Sequence, residues 1–91
     1  MIYVVSLTEQ ALTDSDRLEL DEPKVYQKFL TFLKELAEHP KTGTGHPEPL
    51  KGMPEGRWSR RLSKKHRMVY RIFDTEVVVL VLSAYGHYDD K

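Results

Sequence analysis

The run Val77-Val78-Val79-Leu80-Val81-Leu82 limits the fold of this chain more than any other stretch. It is β-branched and aliphatic throughout, and no polar residue interrupts it at every second position. Such a run predicts a central strand, over 77–84, covered on both faces. A strand of that kind needs partner strands and a layer of helices. The partners are written just upstream. Residues 57–62 predict one strand, Ser63-Lys64-Lys65-His66 a turn, and 67–73 a second strand, before Asp74-Thr75 turns the chain again. In the second of these, Arg67, Val69 and Arg71 alternate with Met68, Tyr70 and Ile72, the period of a strand with two unlike faces.

The helical layer comes from the first half. Residues 2–6 predict an opening strand. Thr8 is a suitable N-cap for a helix starting at Glu9-Gln10-Ala11-Leu12, which Asp14-Ser15-Asp16 is expected to interrupt, leaving its end between Thr13 and Leu20. A second helix is plainer. Asp21 is expected to cap it, with Glu22 and Pro23 in the first turn. Val25, Tyr26, Phe29, Leu30, Phe32, Leu33, Leu36 and Ala37 form an apolar stripe at helical spacing, and His39-Pro40 ends it. That stripe reads as core. Residues 41–56 carry four Gly and three Pro and predict a loop. The order is β-α-α-β-β-β. The simplest packing is α+β, with two N-terminal helices on one face of a mostly antiparallel four-stranded sheet. Residues 1–91 fit a single domain with one modest core.

The chain has no cysteine, so disulfides and thiolate metal sites are excluded, and the core must hold the fold alone. His39, His46, His66 and His87 show no paired ligand spacing, so no metal is expected. No stretch approaches the roughly 20 apolar residues of a membrane span. The first residues are too short an apolar run for a signal segment. A cytoplasmic protein without membrane contact is the expectation.

The zero net charge conceals a strong dipole. Residues 41–71 hold nine Lys or Arg against Glu48 and Glu55, whereas residues 1–40 hold eight acids against four bases. A block of such density is the footprint of a phosphate-binding surface. Lys51, Arg57, Arg60, Lys64, Lys65 and Arg71 are candidates to track a nucleic-acid backbone. Arg61 and Arg67 flank a four-residue hairpin turn that brings them together, and the planar guanidinium can hold two phosphate oxygens at once. Within the basic block Glu48 is fixed by Pro47 and Pro49 and is a candidate general base. His87 follows the buried strand and can donate a proton near neutral pH. Tyr88 can donate a hydrogen bond or stack on a base. Trp58 is expected to pack rather than to stack on RNA. A phosphodiester with a neighbouring 2′-hydroxyl needs only a base, a cation and an acid, with no cofactor. Glu48, Arg67 and His87 supply those roles in that order.

Four motifs in sequence carry a resemblance. Gly45-His46-Pro47-Glu48-Pro49-Leu50-Lys51, Trp58-Ser59-Arg60-Arg61-Leu62, His66-Arg67-Met68-Val69-Tyr70 and Gly86-His87-Tyr88 resemble the Txe/YoeB family of bacterial toxin–antitoxin toxins, within the RelE/ParE-like superfamily. The resemblance spans about residues 43–88. It implies a RelE-like fold and a ribosome-dependent endoribonuclease that cuts mRNA in the ribosomal A site, touches rRNA and is inhibited by a cognate antitoxin. By the same resemblance Glu48 is the general base, Arg67 the phosphate-stabilising arginine, His87 the general acid, and Tyr88 the tyrosine that shapes the site. Lys51 and Arg61 match residues supporting RNA contact. Homodimerisation is left open, since the sequence gives no clear seam. Tyr85 stands where the family often has a basic residue, and Asp89-Asp90-Lys91 extends beyond His-Tyr. These departures motivate the alternative reading of a catalytically weak relative that binds ribosome or antitoxin. A relative acting on DNA gyrase is disfavoured by the intact Glu, Arg and His-Tyr set.

Overall fold

The computed structural model describes residues 2–52 and 56–86. Seven elements follow in order: β1 (Val4–Leu7), α1 (Glu9–Asp21), α2 (Pro23–Glu38), β2 (Glu48–Pro49), β3 (Arg57–Arg61), β4 (Arg67–Phe73) and β5 (Val78–Ser83). The sheet order is β1-β5-β4-β3-β2. Among the described residues only β1 and β5 pair in parallel, with Val4 opposite Val78 and Leu7 opposite Val81. The remaining pairs are antiparallel. The expected α+β architecture is therefore present, with one strand more than the four expected.

The extra strand is β2. Its two residues lie in the segment expected to be loop, with Glu48 opposite Ser59 and Pro49 opposite Trp58. Proline has no amide to give to a ladder, so it is tolerated at a sheet edge, where β2 lies. The Leu50 amide, next in line, donates to the Arg57 carbonyl at 2.8 Å.

The helices cover one face. Phe29, Phe32 and Leu36 of α2 and Ala11 and Leu18 of α1 are buried against Met68, Tyr70, Val79 and Val81 of the sheet. Each such phenylalanine contributes roughly 1.5–3 kcal/mol by leaving water. Trp58 packs against this core, as expected. Among the described residues, no helix is long and apolar enough to cross a membrane.

Three local expectations need correction. Asp14-Ser15-Asp16 does not break α1, which runs unbroken for 13 residues from its Thr8 cap. Asp14 is buried, and its carboxylate accepts from Gln10 at 2.8 Å and from the amides of Ala84 and Tyr85 at 2.8 and 3.2 Å. The two amide bonds from outside the helix, with the one from Gln10 within it, outweigh the residue's weak helix propensity. Next, Asp21 does not cap α2; it ends α1, and Glu22 is the joint between the helices, with no side-chain cap bond of its own. Last, β5 is interior to the sheet but covered by helices on one face only. Val79 and Val81 are buried there, while Val78, Leu80 and Leu82 are half-buried on the other. The strand also begins one residue late, because Val77 adopts a positive φ of 57° in the preceding turn.

Between β4 and β5 the register shifts. Val69 lies opposite Ser83, but Tyr70 lies opposite Val81, so Leu82 is an extra residue. Such a bulge bends a strand and re-aims its end. Here it lies just before the Ala84–Gly86 segment.

Candidate active site on the open sheet face

Side chains alternate across a strand, so the face turned from the helices carries Arg57, Ser59 and Arg61 from β3 and Arg67, Val69 and Arg71 from β4. Register sets Arg57 opposite Arg71 and Arg61 opposite Arg67. Like charges directly opposite each other destabilise a ladder. Two such pairs on one face concentrate positive charge there and make the surface receptive to anions.

Glu48 enters this face from the edge. Its place opposite Ser59 puts the carboxylate 3.8 Å from the Arg67 guanidinium (Oε1 to Nη1). Arg67 is mostly buried, at 18% exposure, whereas Glu48 is 61% exposed. A guanidinium anchored in the sheet thus faces a carboxylate at its rim. Both line a pocket of about 260 Å³ together with His46, Ser59 and Arg61.

The loop that presents Glu48 is held at two points. Gly45 has φ of 81°, and a Cβ there would stand 2.5 Å from Cζ of Phe32. The Arg61 amide donates to its carbonyl at 2.7 Å. His46 follows with φ of 52°. Glycine is required at position 45 both by its φ and by this close approach. The second fastening is Arg60, and it corrects the assignment of that residue to an RNA-tracking surface. Arg60 points to the helix side and is fully buried. Its guanidinium donates to Glu35 at 2.6 Å and to the carbonyls of His39, Thr42 and Thr44 at 2.5, 2.8 and 3.3 Å. Its Nε donates to the Tyr70 hydroxyl, which in turn donates to the Pro40 carbonyl at 2.8 Å. Burial works to raise the Glu35 pKa, but hydrogen bonds from Thr44 and Arg60 outweigh it and hold the carboxyl below its ordinary value. Burial pushes the Tyr70 hydroxyl up.

Lys51, Lys64 and Lys65 are exposed, whereas Arg57 and Arg71 are half-buried, Arg71 lying over the Phe73 ring at 4.7 Å. His87 and Tyr88 lie outside the described residues, as do Asp89, Asp90 and Lys91. The residue before His87 is tied to the site: the Gly86 carbonyl accepts from the Arg67 amide at 3.0 Å. Tyr85 is turned to the helices. Its ring lies 3.8 Å from the Arg17 guanidinium, and its hydroxyl donates to Asp21 at 3.1 Å. His46 and Ser59 join the pocket without having been singled out from sequence. Both had a signal there: His46 lies two residues before Glu48 in the same Gly/Pro-framed segment, and Ser59 alternates with Trp58 and Arg60.

The fold and this pocket define a small α+β protein that gathers a carboxylate and guanidinium groups on an open, arginine-lined sheet face. The family profile described as YoeB-like toxin of bacterial type II toxin-antitoxin system matches residues 7–88. The chain belongs to that family. It is 34% identical over 84 residues to a protein named Toxin YoeB from Synechocystis sp., covering 92% of this chain and 95% of that one. A solved YoeB/ParE toxin from Agrobacterium tumefaciens superposes with a TM-score of 0.85 at 29% identity, over 93% of this chain and 99% of that one. A chain of the heterotetrameric YoeB-YefM toxin-antitoxin complex from Staphylococcus aureus gives 0.78 at 28% identity, over 97% and 100%.

Proposed function

We propose that this toxin is an endoribonuclease that cuts mRNA in the ribosomal A site without metal or other cofactor. The observation that supports this best is the 3.8 Å approach of Glu48 to Arg67 inside a pocket backed by Arg61. In the reaction, Glu48 takes the proton of the 2′-hydroxyl. The freed oxygen attacks the adjacent phosphorus. Arg67 carries the charge that gathers on the phosphorane oxygens, at the position where a fixed cation stabilises most. His87 protonates the departing 5′-oxygen as the P–O bond breaks, leaving a 2′,3′-cyclic phosphate upstream and a 5′-hydroxyl downstream. Tyr88 shapes the site beside it. Lys51, Arg57, Arg61, Lys64, Lys65 and Arg71 hold mRNA or rRNA phosphates.

The natural inhibitor is a cognate antitoxin, the kind of partner seen with the Staphylococcus aureus relative. An acidic segment that orders on binding suits a face with opposed arginine pairs.

Glu48→Ala and His87→Gln are each expected to slow transcript cleavage in a purified translation system by at least about 100-fold and to abolish growth arrest. Full cleavage by both variants overturns the assignment. Because His46 lines the same pocket, His46→Gln belongs in the assay. A large loss in His46→Gln beside wild-type cleavage by His87→Gln would transfer the acid role to His46. Removing residues 89–91 tests the alternative of a weakly cutting binder, which predicts a large gain in rate.

A further inference from the structure

We propose that His66, held in turn by Glu22, is a positioning residue for RNA cleavage: it fixes the amide of Gly86, the residue that directly precedes the proposed acid His87 in the chain. This rests on the cleavage reading above.

His66 is 3% exposed, yet both of its ring nitrogens are engaged. Nδ1 accepts from the Gly86 amide at 2.8 Å. The proton therefore sits on Nε2, which donates to the Glu22 carboxylate. Glu22 is the joint between the two helices and makes no cap bond to α2, so its side chain is directed to His66 instead. The Tyr85 ring closes over the imidazole, with centroids 4.4 Å apart.

The ladder ends at Ser83, and beyond it three consecutive amides have no strand partner. All three are taken by side chains from other elements: Ala84 and Tyr85 by Asp14, Gly86 by His66. The Gly86 carbonyl is taken by the amide of Arg67. Both polar backbone groups of Gly86 are thus held by one dipeptide, His66-Arg67. The same dipeptide supplies the guanidinium that faces Glu48. The residue before the proposed acid and the phosphate-binding arginine are therefore tied together through one dipeptide. A misplacement of about 1 Å in such a constellation costs on the order of 100-fold in rate.

Amide isosteres separate the two ends of the ring. His66→Asn keeps an acceptor where Nδ1 stood, facing Gly86, and gives up the Glu22 bond. His66→Gln keeps a donor where Nε2 stood, facing Glu22, and gives up the Gly86 bond. Cleavage of mRNA on purified programmed ribosomes is measured for both beside the wild type, Glu48→Ala and His87→Gln, with a thermal melt of each. His66→Gln is expected to lose roughly 10- to 100-fold in kcat with KM within about twofold, and His66→Asn, which forfeits only the Glu22 bond, to lose no more than several-fold, whatever the order of their melting temperatures. Glu22→Ala, which frees the ring, is expected to lose several-fold in kcat, while Glu22→Gln, which keeps an acceptor, holds its rate. This second pair carries the test if His66→Gln does not fold. Wild-type kcat in His66→Gln, or rates in all variants that follow melting temperature alone, would overturn the positioning role. If Glu48→Ala and His87→Gln cut like wild type, the cleavage reading falls first and this inference with it.

Discussion

Arg60 and Arg61 are neighbours in sequence with opposite fates. Arg61 lines the pocket on the open face, and Arg60 is fully buried on the other. A strand turns successive side chains to opposite sides, so two adjacent arginines cannot both reach one ligand. Arg60 instead satisfies three carbonyls of the 39–44 loop and the Glu35 carboxylate. Breaking a buried pair of this kind costs roughly 3–5 kcal/mol, because the remaining charge and carbonyls lose their partner. Arg60→Met is expected to lose about that much stability in urea at pH 7. Glu35 has its pKa lowered in the folded protein. A lowered carboxyl stabilises above its ordinary value of 4.5 and loses that contribution as pH falls through the depressed one. The gap between wild type and Arg60→Met is therefore expected to narrow as pH falls below 4.5. A gap that widens in acid would contradict this account.

At the scale of elements, the segment between α2 and β3 is the part of the fold that makes the site. It has Gly and Pro in number and no periodicity, yet it contributes an edge strand and the carboxylate. Gly45 carries the constraint. Gly45→Ala sets a methyl 2.5 Å from Phe32, on a backbone at φ 81°, with the Arg61 carbonyl 3.2 Å away. We expect a loss of at least about 2 kcal/mol in stability together with a fall in cleavage rate, since relief of the clash moves His46 and Glu48. Gly52 is the control. It also has positive φ, of 99°, but among the described residues no atom beyond its chain neighbours lies within 4 Å of an added Cβ. Gly52→Ala is expected to cost about 1 kcal/mol from backbone strain alone. Equal losses in the two variants, followed by denaturant melts, would show that packing against Phe32 is not what holds the loop.

Over the whole molecule, basic residues gather on the face that the helices leave open, while the acid-rich first half forms the helical layer. Exposed Lys64 and Lys65 sit at the turn beside the Arg61–Arg67 pair. Replacing both with Gln is expected to lower the slope of log K against log salt for a short single-stranded RNA by about 1.4, with melting unchanged. An unaltered slope would remove these lysines from the RNA path. The sequence by itself determined the strands around the 77–84 run, the α2 stripe and the candidacy of Glu48 and Arg67, because periodicity and side-chain chemistry are local properties. Strand alternation was also local, and it separates Arg60 from Arg61, but it could not say which face the helices would cover. Only the tertiary structure decided that. It also decided that Asp14 is held inside an unbroken α1, that His66 holds Gly86, and that residues 48 and 67 meet. Each of these depends on hydrogen bonds or register between segments distant in sequence, where no local pattern carries the signal.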